Sequence, residues 1–102
     1  MNIRQMQYQA ETIWHKYVLA SHVYSEGEYS LLEILIKIPV HTFKSADYGF
    51  GWEIVTTVSF DDYDTDTFRE FILDPISYLD NMNEVGALNI DSIQAHGFEM
   101  EY

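Results

Sequence analysis

The sequence predicts an α+β fold in which a small antiparallel sheet of three or four strands carries helices on one face. Two observations lead to this prediction: apolar residues alternate in two central segments, and they recur every three or four residues in two others. The resulting order of helix, strand, strand, helix and strand is typical of an antiparallel sheet covered on one side. Because the chain has 102 residues, we expect residues 1–102 to form a single domain.

The N-terminal segment favours a helix. Its apolar residues recur at alternating steps of three and four, namely Ile3, Met6, Ala10, Ile13, Tyr17, Ala20 and Tyr24. We expect a helix to about Lys16, and a continuation of the helix is one interpretation of residues 17–24. The alternative for 17–24 is a strand, because valine and tyrosine favour strands and Ser25-Glu26-Gly27-Glu28 has the composition of a hairpin turn.

The two central segments show the alternation of strands. The shared faces consist of Leu32, Ile34, Ile36, Ile38 and Val40 in the first segment, and of Trp52, Ile54, Thr56, Val58 and Phe60 in the second. Pro39 lacks an amide donor, which indicates an edge position or a strand end. We expect these strands to form an antiparallel hairpin with a long loop that contains Gly49 and Gly51.

The second half of the chain predicts a helical region and a final strand. The helical spacing runs through Phe68, Phe71, Ile72, Ile76, Leu79 and Met82. Thr67 with Glu70 matches a capping box, and Asp74-Pro75 is a second helix start. We therefore expect a helix that is kinked at Pro75, or two short helices, before Gly86. Residues 98–102 alternate between apolar and acidic side chains, as a strand does.

The charge of the chain lies mostly in its second half. The chain has 17 acids and 5 bases, for a net charge of −12. Residues 61–102 contain eleven of the acids and a single base, Arg69, whereas residues 1–60 have a net charge of only −2. Five bases are too few for the phosphate contacts of direct nucleic-acid binding, and an anionic membrane would repel the chain. The clustered charge instead suggests a basic protein as partner.

The leading hypothesis is a non-enzymatic inhibitor that binds a basic nucleic-acid-handling protein by imitating a nucleic-acid backbone. On an extended segment, residues two apart project to the same side roughly 6.6–6.8 Å apart, which is comparable with the spacing of phosphates along DNA. Asp62, Asp64 and Asp66 have that spacing if the segment is extended. Tyrosines interleave with the acids and are enriched in protein interfaces. The predicted contact residues are Asp61, Asp62, Tyr63, Asp64, Asp66, Asp80, Glu84, Glu99, Glu101 and Tyr102.

In composition alone, the chain is similar to the small acidic DNA-mimic inhibitors of restriction, CRISPR and repair nucleases, and acidic immunity proteins follow the same physical logic. That resemblance implies an inhibitor of a nuclease or a related effector. The alternative is a structural or assembly subunit, including a homodimer, in which Trp14, Tyr24, Tyr29 and Trp52 form an apolar interface. The acids would then serve solubility and helix capping.

The sequence offers little for catalysis or cofactors. Asp62, Asp64 and Asp66 resemble the first ligands of an EF-hand loop, but Thr67 and Leu73 stand where that loop has glycine and glutamate. The sequence contains no cysteine, which excludes disulfides and thiolate metal sites. We expect no enzyme, no metal and no cofactor. Without the apolar region of a signal peptide near Met1, we expect a cytoplasmic location.

Overall fold

Four antiparallel strands and three helices make up the part of the chain that the computed structural model describes, which is residues 2–39, 52–88 and 90–95. In chain order the elements are α1 (Ile3–Ile13), β1 (Val18–Glu26), β2 (Tyr29–Pro39), β3 (Trp52–Asp61), α2 (Thr65–Leu73), α3 (Pro75–Glu84) and β4 (Ile90–Ala95). The strands form one sheet in the order β1-β2-β3-β4. The predicted α+β class is confirmed.

The core lies between one face of the sheet and the helices. The inward residues of β2 and β3 follow the predicted alternation, so that Ile34 lies opposite Val58 and Leu32 opposite Phe60. All three helices contribute buried side chains to the same cluster: Ile3, Met6 and Ala10 from α1, Phe68 and Phe71 from α2, and Leu79 from α3. Complete burial of a side chain as large as isoleucine, leucine, methionine or phenylalanine stabilises a fold by about 1.5–3 kcal/mol. The helices therefore cover a single face of the sheet, which we call the inner face.

The pairing of β2 with β3 also confirms the predicted antiparallel hairpin. Pro39 is the last residue of β2, which fits the prediction of a strand end, although β2 itself lies between two neighbours. The loop that was expected to hold Gly49 and Gly51, together with Val40, lies outside the described residues.

Residues 18–24 belong to strand β1, which decides between the two interpretations of residues 17–24 in favour of the strand. Helix α1 starts at an Asn2–Gln5 capping box and ends at Ile13. The amides of Tyr17 and Val18 then donate to the Trp14 carbonyl, at 2.9 and 3.0 Å, and turn the chain away. From there the Tyr17 carbonyl accepts the Lys37 amide at 2.8 Å, and the pairing with β2 begins. Hydrogen bonds to β2 outweigh the helical spacing, which in residues 17–24 is coincidental.

The β1–β2 hairpin has the two-residue turn Gly27-Glu28, within the segment that the alternative prediction named. Gly27 has a φ of 60°, and Glu28 does not have a positive φ. These signs match a type II′ turn, which places glycine at its first central position. One irregularity interrupts β1: Val18 pairs with Ile36 and Ala20 with Leu35, which leaves Leu19 as the extra residue of a β-bulge.

Two separate helices, rather than one kinked helix, follow β3. Asp74 caps α3 by accepting the Ser77 amide at 3.1 Å, and Pro75 occupies the first turn, as predicted. The predicted capping box at Thr67 was wrong, because the N-cap of α2 is Asp64, three residues earlier. The final strand in the described part of the chain is β4, while the strand predicted for residues 98–102 lies outside it.

Candidate functional site

The face of the sheet opposite the helices is built by the second set of alternating residues, and we call it the outer face. Cross-strand pairing places His22 opposite Glu33 and Tyr24 opposite Leu31 on this face. The same register places Leu31 opposite Asp61 of β3. The described helices all pack on the inner face, so the outer face presents its aromatic, aliphatic and charged side chains away from them.

A groove on the outer face lies at the end of the β1–β2 hairpin. It has a volume of about 220 Å³ and is lined by Tyr24, Tyr29, Leu31 and Glu33. Leu31 forms the centre of this set. Tyr29 and Glu33 lie two residues before and after it on the same face of β2, and Tyr24 of β1 is its cross-strand partner. Tyr24 and Tyr29 remain 42% and 49% exposed. We call this feature the tyrosine groove.

Tyr24 and Glu33 both line the tyrosine groove, and Glu33 affects the pKa of the Tyr24 hydroxyl. Hydrogen bonding with Glu33, followed by the negative charge of Glu33, raises the pKa of Tyr24 above its usual value of 10.0. The His22 ring meets the Tyr24 ring edge-on, with the ring centroids 4.3 Å apart. The Tyr24 ring is therefore in contact with the His22 ring, and its hydroxyl lies within reach of the charge of Glu33.

The predicted acidic segment forms a tight corner between β3 and α2, which we call the acidic corner (Asp61, Asp62, Tyr63 and Asp64). Its carboxylates accept backbone amides: Asp61 Oδ1 from Tyr63 at 2.8 Å, and Asp64 Oδ2 from Asp61 at 2.8 Å. Asp62 Oδ2 accepts the Ser30 amide of β2 at 2.7 Å. The segment is therefore a turn, and the extended spacing that was considered for Asp62, Asp64 and Asp66 is wrong.

The acidic corner adjoins the tyrosine groove. Asp61 is the cross-strand partner of Leu31, and Asp62 is bonded to Ser30, the residue after Tyr29. Tyr63 extends from the corner with 87% of its surface exposed. Three carboxylates, an exposed tyrosine and the groove thus share one end of the sheet, an arrangement that residue spacing did not predict.

The other predicted contact residues occupy different positions. Asp66 lies exposed in the first turn of α2, where its Oδ1 is 3.5 Å from Nη1 of Arg69. Because both groups are largely exposed, this pair contributes little to stability. On α3, Asp80 is half-buried and Glu84 is exposed at the last residue. Glu99, Glu101 and Tyr102 lie outside the described residues.

Tyr78 connects the acidic side chains of α2 with the core. Its ring packs against Phe60 and Phe71, with centroids 6.1 and 5.6 Å away. Burial raises the pKa of Tyr78 above 10.0, and the nearby charges of Asp64 and Glu70 raise it further. Tyr78, in the first turn of α3, therefore lies close enough to Asp64 and Glu70 for their charges to affect its pKa.

The described residues contain neither a cluster of metal ligands nor a membrane-spanning helix. Within residues 2–39, 52–88 and 90–95, no three or more histidine, aspartate or glutamate side chains come together as a metal site would require. Over the same ranges, no helix combines the length and the apolar character needed to cross a membrane.

Comparison with known proteins gives no further identification. No protein family, curated protein or solved structure matches the chain.

Sequence reasoning did not predict the tyrosine groove, although part of its signal was present. Tyr29, Leu31 and Glu33 alternate on the face opposite Leu32 and Ile34, so the periodicity alone places them together. The missing information was the strand character of residues 17–24, without which Tyr24 has no defined position beside Leu31. The assembly hypothesis named Tyr24 and Tyr29 as interface residues, and in the structure both are exposed.

Proposed function

We propose that this protein is a non-enzymatic inhibitor that binds a basic, nucleic-acid-handling protein through the end of the molecule that carries the acidic corner. The observation that supports the proposal is the charge of residues 52–88, which include nine acids and one base, Arg69. Arg69 itself is paired with Asp66. A surface with so little positive charge attracts a basic partner over a long range and speeds their encounter.

The acidic corner also suits the proposed contact because its carboxylates are held in place. Each of Asp61, Asp62 and Asp64 accepts one backbone amide, and an ionised carboxylate has further lone pairs for a partner's lysine or arginine. Groups that are already ordered lose less conformational entropy on binding than free side chains do. The imitation of a nucleic-acid backbone thus rests on clustered charges fixed by a turn, rather than on a regular extended spacing. The proposed encounter takes place in the cytoplasm.

The test starts with the basic proteins of a lysate that bind heparin, passed over the immobilised protein and eluted with increasing salt. We expect a captured protein to elute at moderate salt and to be displaced by duplex DNA. Once purified, that partner should lose its nucleic-acid-dependent activity when the inhibitor is added. Retention that is independent of salt, or a complex that binds DNA at the same time, contradicts the proposal.

A matched pair of variants tests whether the acidic corner makes the contact. Asp62→Asn removes a charge but keeps an oxygen for the Ser30 amide, and Glu11→Gln removes a charge from α1 while keeping an oxygen for the Ser21 hydroxyl. We expect Asp62→Asn to weaken partner binding roughly fivefold at low salt, since a lost charge contact costs about 1 kcal/mol. Glu11→Gln should change it less than about twofold. Equal effects of the two variants would show that only total charge matters.

The outer face supports a second candidate function, an assembly subunit or homodimer. The supporting observation is that Tyr24 and Tyr29 are exposed on a sheet face that the described helices leave uncovered. Trp14, which was expected in that interface, is half-buried and its indole N–H is bonded within the protein. The side chain of Trp52 lies outside the described residues. Sedimentation at low and high salt separates the functions, because an apolar oligomer persists at high salt.

A further inference from the structure

We propose that the tyrosine groove is a receptor for one arginine side chain of the partner protein. The groove combines two exposed phenol rings, an aliphatic centre and a half-buried carboxylate, provided by Tyr24, Tyr29, Leu31 and Glu33. The inference deepens the proposed function, on which it rests for the identity of the arginine's owner. Binding of a small arginine compound, however, can be tested without any partner.

The size of the groove favours a side chain over a metabolite. Its volume of about 220 Å³ is below the range of about 300–1,000 Å³ that is usual for pockets that bind small molecules. The lining supplies an apolar surface in Leu31 for the methylene groups of an arginine. Tyr24 and Tyr29 supply ring faces for its guanidinium, since aromatic faces attract cations.

The charge of the groove favours a cation. The half-buried carboxylate of Glu33 lines the groove, and an ionised carboxylate has several lone pairs with which to accept a guanidinium. Asp61 of β3 is the cross-strand partner of Leu31, and Asp62 accepts the amide of Ser30, the residue after Tyr29. Further negative charge therefore adjoins the site. Lys37, four residues after Glu33 on the same strand, forms a salt bridge with Glu53 instead, with Nζ and Oε1 3.8 Å apart.

Arginine fits better than lysine because its guanidinium is planar. A planar group stacks on a phenol ring and donates to a carboxylate in its own plane at the same time, whereas an ammonium is a strongly hydrated point charge. The Tyr24 ring already packs edge-on against the His22 ring. This contact limits the movement of the Tyr24 ring and reduces the ordering that arginine binding requires.

The experiment is an NMR titration of the whole protein with N-acetyl-arginine N-methylamide. The citrulline analogue serves as the neutral control, because it has nearly the same shape without the charge. We expect saturable shifts in the ring signals of Tyr24 and Tyr29 and in the carboxyl signal of Glu33. The citrulline analogue should bind at least about fivefold more weakly. Equal binding of the two compounds overturns the inference.

Two pairs of variants locate the site. Glu33→Gln keeps an oxygen for Tyr24 but removes the charge, and Tyr29→Leu removes a ring; each should weaken arginine binding at least about fivefold. Tyr29→Phe keeps the ring and should bind as the wild type does. The controls are Glu11→Gln and Tyr8→Leu on α1, where Tyr8 is 70% exposed. Amide spectra establish that each variant is folded. If Glu33→Gln and Tyr29→Leu bind like the controls, or if the shifts lie only at residues 61–66, the inference is wrong.

The arginine titration and the partner assay test the receptor and the proposed function separately, so either one can fail without the other. Arginine binding in the groove without any salt-sensitive partner upholds the receptor and contradicts the proposed function. A DNA-competed partner that is sensitive to Asp62→Asn, together with no arginine binding in the groove, upholds the proposed function and contradicts the receptor.

Discussion

The indole N–H of Trp14 donates to the backbone carbonyl of Ile72 across 2.6 Å, which joins the end of α1 to the end of α2. The last carbonyls of a helix have no partner within the helix, so this hydrogen bond satisfies one of them. Trp14 also stacks on Tyr17, with ring centroids 5.9 Å apart, at the point where the chain enters β1. A single side chain therefore fixes two helices and the first strand relative to one another.

Replacing Trp14 tests this connection. Trp14→Phe keeps an aromatic ring but leaves the Ile72 carbonyl without its donor, so we expect the free energy of unfolding to fall by about 1–2 kcal/mol. Urea denaturation followed by circular dichroism measures the change. Tyr8→Phe, at an exposed position of α1, is the control and should have no measurable effect. An unchanged midpoint for Trp14→Phe would show that the hydrogen bond contributes nothing net.

The cap of α3 gives a second prediction. Asp74→Ala removes the acceptor of both the Ser77 amide and the Ser77 hydroxyl, at 3.1 and 2.8 Å. The expected loss of stability is about 1 kcal/mol. Asp66→Ala removes an equal charge from a side chain that is 98% exposed and should change stability by less than about 0.5 kcal/mol. Thermal unfolding of both variants side by side distinguishes the loss of a cap from the loss of charge.

The turn of the β1–β2 hairpin gives a third prediction. A Cβ on Gly27 would meet no atom within 4 Å, so the cost of Gly27→Ala arises from its φ of 60° alone. An L-residue in such a conformation costs about 1–2 kcal/mol. Glu28→Ala, one residue later and without a positive φ, should be close to neutral. Because the turn also sets the position of Tyr24 against Tyr29, arginine binding in the tyrosine groove should weaken together with stability in Gly27→Ala.

Tyr78 predicts a dependence of stability on alkaline pH. Its pKa is raised in the folded protein by burial and by Asp64 and Glu70, above the value of 10.0 in the unfolded chain. A raised folded pKa means that the contribution to stability is complete below pH 10.0 and is lost as the pH rises through the folded pKa. Tyr78→Phe removes this titration and should lose less stability above that pH. Urea denaturation at increasing pH measures the free energy of unfolding of each variant. Tyr63→Phe, at an exposed position, is the control and should behave as the wild type does.

The parts of the fold that sequence could predict are those with a strict local signal. Leu32, Ile34 and Ile36 alternate and are buried, and Asp74-Pro75 begins a helix, because period and capping are decided within a few residues. Residues 17–24 could not be assigned in the same way. Their spacing fits a helix, but their hydrogen bonds to β2 make them a strand. These bonds join separate segments of the chain, so the spacing within residues 17–24 could not reveal them.

The candidate site was predictable in its composition but not in its arrangement. The concentration of acids after Phe60 and the exposure of Tyr63 follow from the sequence. The contact of Asp62 with Ser30, 32 residues away in the chain, depends on the register of β2 with β3. Carboxylates in a run of aspartates are also free to accept nearby amides, and this local bonding replaced the extended spacing that the charge pattern suggested.

The bulge at Leu19 affects how this protein behaves at high concentration. Strand β1 lies at an edge of the sheet, and an unbroken edge of backbone amides and carbonyls is a template for fibril growth. The extra residue interrupts the regular edge near the start of β1, and the Leu19 side chain is half exposed there. We expect a chain from which Leu19 is deleted to form fibrils more readily than the natural one. The irregularity in the ladder is then a protection against aggregation for a sheet whose outer face the described helices leave uncovered.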